Sequence, residues 1–268
     1  MRIRLHVNGT KPKAAAAAAA LKATARRLGL EVVGAGAADA VVALGGDGTI
    51  LHAIHTYPGM PVLGLNLGGL GYLAGVGERD FTRALEMLAS GRCRISERSM
   101  LAVRKAGAGK TFTALNEAAV MRGMTGHAAV LDLAVDGRVA TRYLGDGLVV
   151  ATPTGSTAYS LSAGGPVLMP DTASFVITPM NPHALGVRPM VVRDTVTLTV
   201  TARRRADAAD ETIGVYADGV AAFTLADGET AEVFKAPQGA AMVELEGYDP
   251  CEVLARKLGW SGANRGVS

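Results

Sequence analysis

Apolar positions follow two different rhythms along the chain. In the first third, short apolar runs alternate with helical patterns. Ile3 to Val7 predicts a strand, and the alanine-rich stretch Ala14 to Leu28, with Pro12 in its first turn, predicts a helix that Gly29 stops. Ala40 to Leu44 and Pro61 to Leu65 are unbroken apolar runs, the pattern of strands covered on both faces in a parallel sheet. Thr49 to about Thr56 reads as the helix between them, and Gly64 to Gly77 as a glycine-rich loop. Positions 81, 84, 85 and 88 are apolar at i, i+3, i+4, i+7 spacing, so Phe81 to Ser90 predicts an amphipathic helix.

From about Arg94 the rhythm shortens. β-Branched runs recur at Val130–Val135, Leu148–Ala151, Phe175–Thr178, Thr195–Thr201, Thr212–Ala217 and Ala240–Leu245. Asp136-Gly137, Asp218-Gly219 and Asp227-Gly228 lie between such runs, which is hairpin chemistry. Pro250 to Leu258 predicts a closing helix. The expected fold class is an α/β N-terminal domain with a parallel sheet over residues 1–96. A larger β-rich, sandwich-like domain is expected over 97–246, and a C-terminal segment, 247–268, packing back on the first domain.

Composition narrows the class. Hydrophobic residues make up 49% and charged residues 19%, which excludes a disordered chain. The net charge of +3 comes without a long basic run, so no nucleic-acid footprint is present. Arg203-Arg204-Arg205 reads as a solvated loop between strands. The alanine run Ala14–Ala20 is too short and too weakly apolar to span a membrane, and the N-terminus reads as a strand rather than a signal peptide. A soluble cytoplasmic protein is expected. Cys93 and Cys251 are too far apart in sequence to read as a metal pair and are expected as buried thiols in a reducing compartment. Glycine stands out at 34 of 268 residues, against an average usage of roughly 7%. Ten of these glycines lie between Gly45 and Gly77, and five between Gly145 and Gly165.

Those two windows hold the candidate chemistry. Gly45-Gly46-Asp47-Gly48-Thr49 follows a buried strand and opens a helix, so its backbone N–H groups and helix dipole suit phosphate. Neither G-x-G-x-x-G nor the Walker pattern occurs there. A plain strand-to-helix turn with Asp47 as its cap is the alternative. In Thr152 to Pro166, the hydroxyls of Thr154, Ser156, Thr157, Ser160 and Ser162 crowd around Tyr159, suiting either a polar ligand or a capped helix start. Asp146 lies at a turn before this stretch, and Asn116-Glu117 ends the Phe112–Leu115 run.

Taken together, these segments resemble the NAD kinase family. The resemblance rests on the Asn8 strand end, GGDGT at 45–49, LGGLGYLAG at 67–75, Asn116-Glu117 and GDG at 145–147. It extends through TPTGSTAYSLSAGGP at 152–166 and PMNPHALGVRPMV at 179–191. GGDGT alone is shared with phosphofructokinases and lipid kinases; the TGSTAYSLSAGGP stretch with Asn-Glu is much more specific. The resemblance implies phosphoryl transfer from ATP or polyphosphate to the 2′-hydroxyl of the adenosine ribose of NAD, giving NADP, with Mg²⁺ or another divalent cation. By resemblance Asp47 is the catalytic proton acceptor, and Gly45, Gly46, Gly48 and Thr49 form the phosphate loop. Asn116 and Glu117 match residues holding adenine and ribose, and Asp146 one near the nicotinamide amide. Thr157, Ala158, Tyr159, Ser160, Leu161 and Ser162 match the loop along the dinucleotide, while His52, Tyr72 and His127 occupy ligand-proximal positions. A homo-oligomer, dimer or tetramer, is implied too, with no nucleic-acid or membrane partner. Leu144, Val220 and Asn181 depart from residues that some members carry, which bears on substrate preference.

Overall fold

The computed structural model describes residues 1–7, 12–68, 71–73, 75–123, 127–203 and 212–260. The chain forms two compact units, Met1–Glu97 with Ala240–Ser268, and Arg98–Gly239. The first holds a seven-stranded sheet in the order Glu31–Val32, Arg2–Val7, Ala40–Gly45, Val62–Asn66, Ala240–Leu245, Cys93–Arg98, with Val76–Gly77 also paired to Val62–Asn66. Pairing is parallel from Glu31–Val32 across to Ala240–Leu245. Ala40–Gly45 and Val62–Asn66 are buried at every position, which is why they read as unbroken apolar runs. Ile3, Leu44, Leu63 and Leu65 pack with Leu21 and Ala25 of the helix Pro12–Arg27 and with Leu85 and Leu88 of the helix Phe81–Ala89.

Ala240–Leu245 was expected in the β-rich domain, but its parallel pairing of Met242 with Val62 puts it in the first sheet. The loop expected over 64–77 also contains structure: Val76–Gly77 pairs with Leu65 and Asn66. The closing helix Pro250–Leu258 carries its start and stop signals in sequence. Asp249 accepts the Cys251 N–H at 2.8 Å, Pro250 opens the first turn, and Gly259 caps the end at φ 70°. This first turn leaves Cys251 exposed and Cys93 is half-buried, so neither is the buried thiol that was expected.

The second unit is a sandwich of two six-stranded sheets, and among the described residues their strands pair antiparallel. One runs Arg138–Gly145, Ala129–Val135, Leu198–Arg203, Thr230–Lys235, Leu101–Lys105, Thr111–Ala114. The other runs Met190–Arg193, Ser174–Met180, Gly147–Ala151, Glu117–Met121, Ile213–Ala217, Val220–Leu225. Leu131, Leu133, Val200 and Val233 of the first sheet and Val120, Val150, Phe175, Ile177 and Val215 of the second share one core. Asp136-Gly137 and Asp218-Gly219 make the expected hairpins, with φ of 48° and 76° in the first and 48° and 77° in the second. Asp227-Gly228 does not: it joins Val220–Leu225 of one sheet to Thr230–Lys235 of the other. Arg203 ends a strand and pairs with Asp132 at 2.7 Å, while Arg204, Arg205 and Asn8 lie outside the described residues. Among the described residues, no helix is long and apolar enough to cross a membrane.

Candidate functional site

In the first unit, Gly46 turns the chain from the strand Ala40–Gly45 into the helix Asp47–Thr56, at φ −107° and ψ −173°. The helix therefore starts two residues before Thr49. Asp47 lies inside its first turn instead of capping it, where the helix dipole favours a negative charge. The three glycines around it do different work. A Cβ on Gly45 would run into the buried Thr49 side chain, so that glycine is needed for packing. Gly46 and Gly48 have nothing within 4 Å of the same position, leaving room for a phosphate to reach the backbone.

The second glycine-rich segment lies on Asp47. Its Oδ2 accepts the Tyr72 N–H at 2.9 Å and its Oδ1 the Leu73 N–H at 3.2 Å. A Cβ on Gly71 would land on the same carboxylate. Residues 71–73 thus fix the direction of the acid. Burial, and then the charge of Asp47, push the Tyr72 phenol above its ordinary value, and the Lys257 ammonium lies 5.2 Å from its ring centre. At the end of Val62–Asn66, the buried Asn66 accepts the Gly68 N–H through Oδ1 at 2.9 Å.

His52 is exposed on the helix, with Nδ1 2.9 Å from His6 Nε2 and the two rings stacked. Burial, then the neighbouring His52, lower the His6 pKa. His52 is thus tied to a strand residue whose side chain the sequence did not single out. His127, in the second unit, is exposed.

In the second unit Asn116 and Glu117 form a tightly bonded corner. The Asp218 carboxylate accepts the N–H groups of Leu115 at 2.8 Å, Asn116 at 2.8 Å and Glu117 at 3.2 Å. From the other side, Thr152 N–H donates to the Asn116 carbonyl at 2.8 Å, and the Thr152 hydroxyl bonds the Leu115 carbonyl and accepts the Gly155 N–H. A Cβ on Gly155 would overlap the Asn116 backbone. Glu117 is 8% exposed, and among the described residues its Oε2 has no hydrogen-bond partner. Burial and, secondarily, the Asp218 charge push its carboxyl up to about 7, against a bond from the Tyr159 backbone.

The hydroxyl-rich stretch folds as a 3-10 turn, Thr154–Thr157, and a one-turn helix, Tyr159–Ser162, with no side-chain cap on either. Its hydroxyls divide in two. Ser156 bonds the Pro153 carbonyl and the Leu168 N–H, and Ser160 Oγ meets Thr178 Oγ1 at 2.8 Å in the interior. A Cβ on Gly165 would strike both of those last oxygens. Ser156 and Ser160 therefore build the loop with their side chains. Ser162 and Tyr159 are exposed, and Thr157, Ala158 and Leu161 are half-buried.

Asp146 turns between Arg138–Gly145 and Gly147–Ala151. Asn181 Nδ2 donates to its Oδ2 at 2.7 Å, and Arg122 Nε lies 2.7 Å from its Oδ1. The Asn181 bond, with help from Arg122 and His183, holds the Asp146 carboxyl below the ordinary carboxylate range. Asn181 reaches it from a left-handed conformation, φ 44°.

Both units match known proteins. Residues 6–93 match the ATP-NAD kinase N-terminal domain and residues 115–245 the ATP-NAD kinase C-terminal domain. The NAD kinase of Symbiobacterium thermophilum is 40% identical over 228 residues, covering 83% of this chain and 79% of the relative. The chain belongs to the NAD kinase family. The NAD kinase of Koribacter versatilis is 39% identical over 224 residues, 82% of this chain and 77% of that one. Yeast NADH kinase, solved in complex with NADH, shares the fold at a TM-score of 0.87 and 23% identity, covering 100% of this chain and 90% of that one. An NAD kinase from Archaeoglobus fulgidus, solved in complex with ATP, gives a TM-score of 0.75 at 26% identity, with 100% of each chain covered.

Set against the NAD kinase motifs named from sequence, the structure adds Asp218, Arg122 and Asn66, none of which carries a recognisable spacing, and gives bonding roles to Thr152 and Asn181, which lie inside the 152–166 and 179–191 motifs. Asp218 reads as a hairpin residue, and its grip on residues 115–117 comes from pairing Ile213–Ala217 with Glu117–Met121. Arg122 and Asn181 reach Asp146 from separate strand ends, a juxtaposition only the sheet order creates.

Proposed function

We propose that this NAD kinase family member transfers the γ-phosphoryl group of ATP to the 2′-hydroxyl of the adenosine ribose of NAD, with Asp47 as the proton acceptor. The ribose O–H bond breaks and its proton passes to the Asp47 carboxylate. The oxygen forms the new P–O bond as the bond to the leaving ADP breaks, giving NADP. Such transfers depend on alignment and charge neutralisation more than on covalent chemistry. The observation that carries this reading is the Asp47 carboxylate, oriented by the Tyr72 and Leu73 N–H groups beside the open backbone of Gly46 and Gly48.

Asn116 and Glu117 hold adenine and ribose, and Asp146 faces the nicotinamide amide. Thr157, Ala158, Tyr159, Leu161 and Ser162 lie along the dinucleotide. Ser160 contributes there through its backbone, because its hydroxyl is bonded to Thr178. Gly46 and Gly48 take the phosphates, while Gly45 and Thr49 shape the loop. Among the described residues, no group of three or more His, Cys, Asp or Glu gathers as a metal cage. A hydrated Mg²⁺ carried by the ATP phosphates needs only a carboxylate such as Asp47, which lies in the first helical turn beside the open backbone of Gly46 and Gly48. When bound, the ion neutralises phosphate charge.

Incubation with NAD, ATP and Mg²⁺ should yield NADP, read by an NADP-specific dehydrogenase. No NADP with either ATP or polyphosphate would overturn the reading, and the polyphosphate arm reports donor choice. The active species is a homo-oligomer, and light scattering on the active fraction should report a dimer or tetramer. A fully active monomer contradicts this.

A further inference from the structure

The turn at Asp218 does more than join two strands. Leu115 to Glu117 is the stretch where the chain leaves Thr111–Ala114 in one sheet and enters Glu117–Met121 in the other. At such a crossing the ladder of neither sheet serves every backbone N–H, and a buried one left unbonded is costly. Asp218 takes three in succession, and its own N–H donates to the Glu117 carbonyl at 3.0 Å. A carboxylate gathering consecutive N–H groups makes stronger bonds than a neutral acceptor. With Thr152 on the Asn116 carbonyl, the main chain of this corner is committed on both sides. The directions of the Asn116 and Glu117 side chains follow from it.

We infer that Asp218 is a positioning residue for dinucleotide binding, setting the Asn116-Glu117 corner through its three main-chain bonds and its negative charge beside Glu117. The inference rests on the reading of that corner as an NAD contact. The groups facing the Glu117 carboxyl are Asp218 from the hairpin and Tyr159, through backbone and phenol, from the short helix. The Asp218 charge holds protons on Glu117, so removing it lets Glu117 ionise at lower pH.

Asp218→Asn keeps the shape but removes the charge and puts an N–H₂ where an acceptor stood. In steady-state assays the KM for NAD should rise about tenfold, with kcat and the KM for ATP within about twofold. The pH profile of kcat/KM for NAD should move its Glu117 limb to lower pH, and the limb should vanish in Asp218→Asn/Glu117→Gln. A merely structural role would instead lower kcat and raise the KM for ATP together while leaving the limb in place, and that result overturns the proposal. If Glu117→Gln raises the KM for NAD but Asp218→Asn shifts neither KM nor limb, the proposal fails while the reading of the corner stands. If Glu117→Gln leaves the KM for NAD unchanged, the reading of the corner fails and takes the proposal with it. Should Asp218→Asn not fold, Asp218→Ser, which keeps one acceptor oxygen, enters the same assays with the same criteria.

Discussion

Asp47→Asn should bind NAD nearly as well as the parent enzyme yet lose turnover, by roughly 10²- to 10⁴-fold in kcat. The amide is isosteric with the carboxylate, so the helix start and the loop glycines keep their places. It cannot accept the ribose proton. It also meets the two donors above it unequally: one oxygen still accepts a main-chain N–H, while the amide nitrogen opposes the other. Titration calorimetry with NAD and single-turnover assays separate the two effects, because lost base chemistry lowers turnover and a loosened loop weakens binding. A second readout lies on Tyr72. Part of the upward push on its phenol comes from the Asp47 charge, so an absorbance titration of the variant should find it moved partway back. Parent-like turnover in Asp47→Asn would remove Asp47 from the chemistry altogether.

Glu117→Gln should stabilise the fold above neutral pH while weakening NAD binding. Folding lifts the Glu117 carboxyl from 4.5 to about 7, so its protonated form is the one the interior accepts. Below pH 4.5 the carboxyl is protonated in both folded and unfolded chains and contributes no difference. Between 4.5 and about 7 the unfolded chain releases a proton that the folded one retains, so stability falls as pH rises. Above about 7 the full penalty is present, on the order of 3 kcal/mol at 1.36 kcal/mol per pKa unit. Glutamine resembles the protonated acid and removes that penalty. Thermal unfolding of parent and variant should therefore diverge on the alkaline side and converge below pH 4.5. Equal shifts at both ends, or a less stable variant at alkaline pH, would show that Glu117 is not held as a raised carboxyl.

Much of the fold was legible because its signals are local. Unbroken apolar runs marked Ala40–Gly45 and Val62–Asn66, the i, i+3, i+4, i+7 pattern marked Phe81–Ala89, and Asp-Gly pairs marked two true hairpins. Asp227-Gly228 misled because a turn dipeptide fixes the local bend but not which sheet the next strand joins. The helix after Gly46 starts earlier than expected, since Asp47 has low intrinsic helix propensity and tertiary bonds from Tyr72 and Leu73 hold it there. The motifs named Asp47, Asn116, Glu117 and Asp146 as candidates. They did not reveal Asp218 or Arg122, nor that Asn181 in the 179–191 motif bonds Asp146, because these partners lie far apart in sequence and close only through strand pairing. Glycine patterns were legible in density but not in purpose. Gly45, Gly71 and Gly155 make room for protein atoms, and Gly46 and Gly48 leave space open.

The parallel pairing of Met242 with Val62 has a consequence for how the chain is made. The first unit is discontinuous: residues 98–239 are inserted between its two parts. A nascent chain emerging from the ribosome carries Val62–Asn66 long before the strand that flanks it exists. Until Ala240–Leu245 is synthesised, the side of Val62–Asn66 that Val76–Gly77 covers only at Leu65 and Asn66 stays otherwise unpaired, an apolar edge of the kind that invites aggregation. The inserted sandwich can close its own core in that interval, so the unit begun first is finished last. Cutting the chain after residue 97 thus yields a sheet missing an interior strand rather than an independent domain.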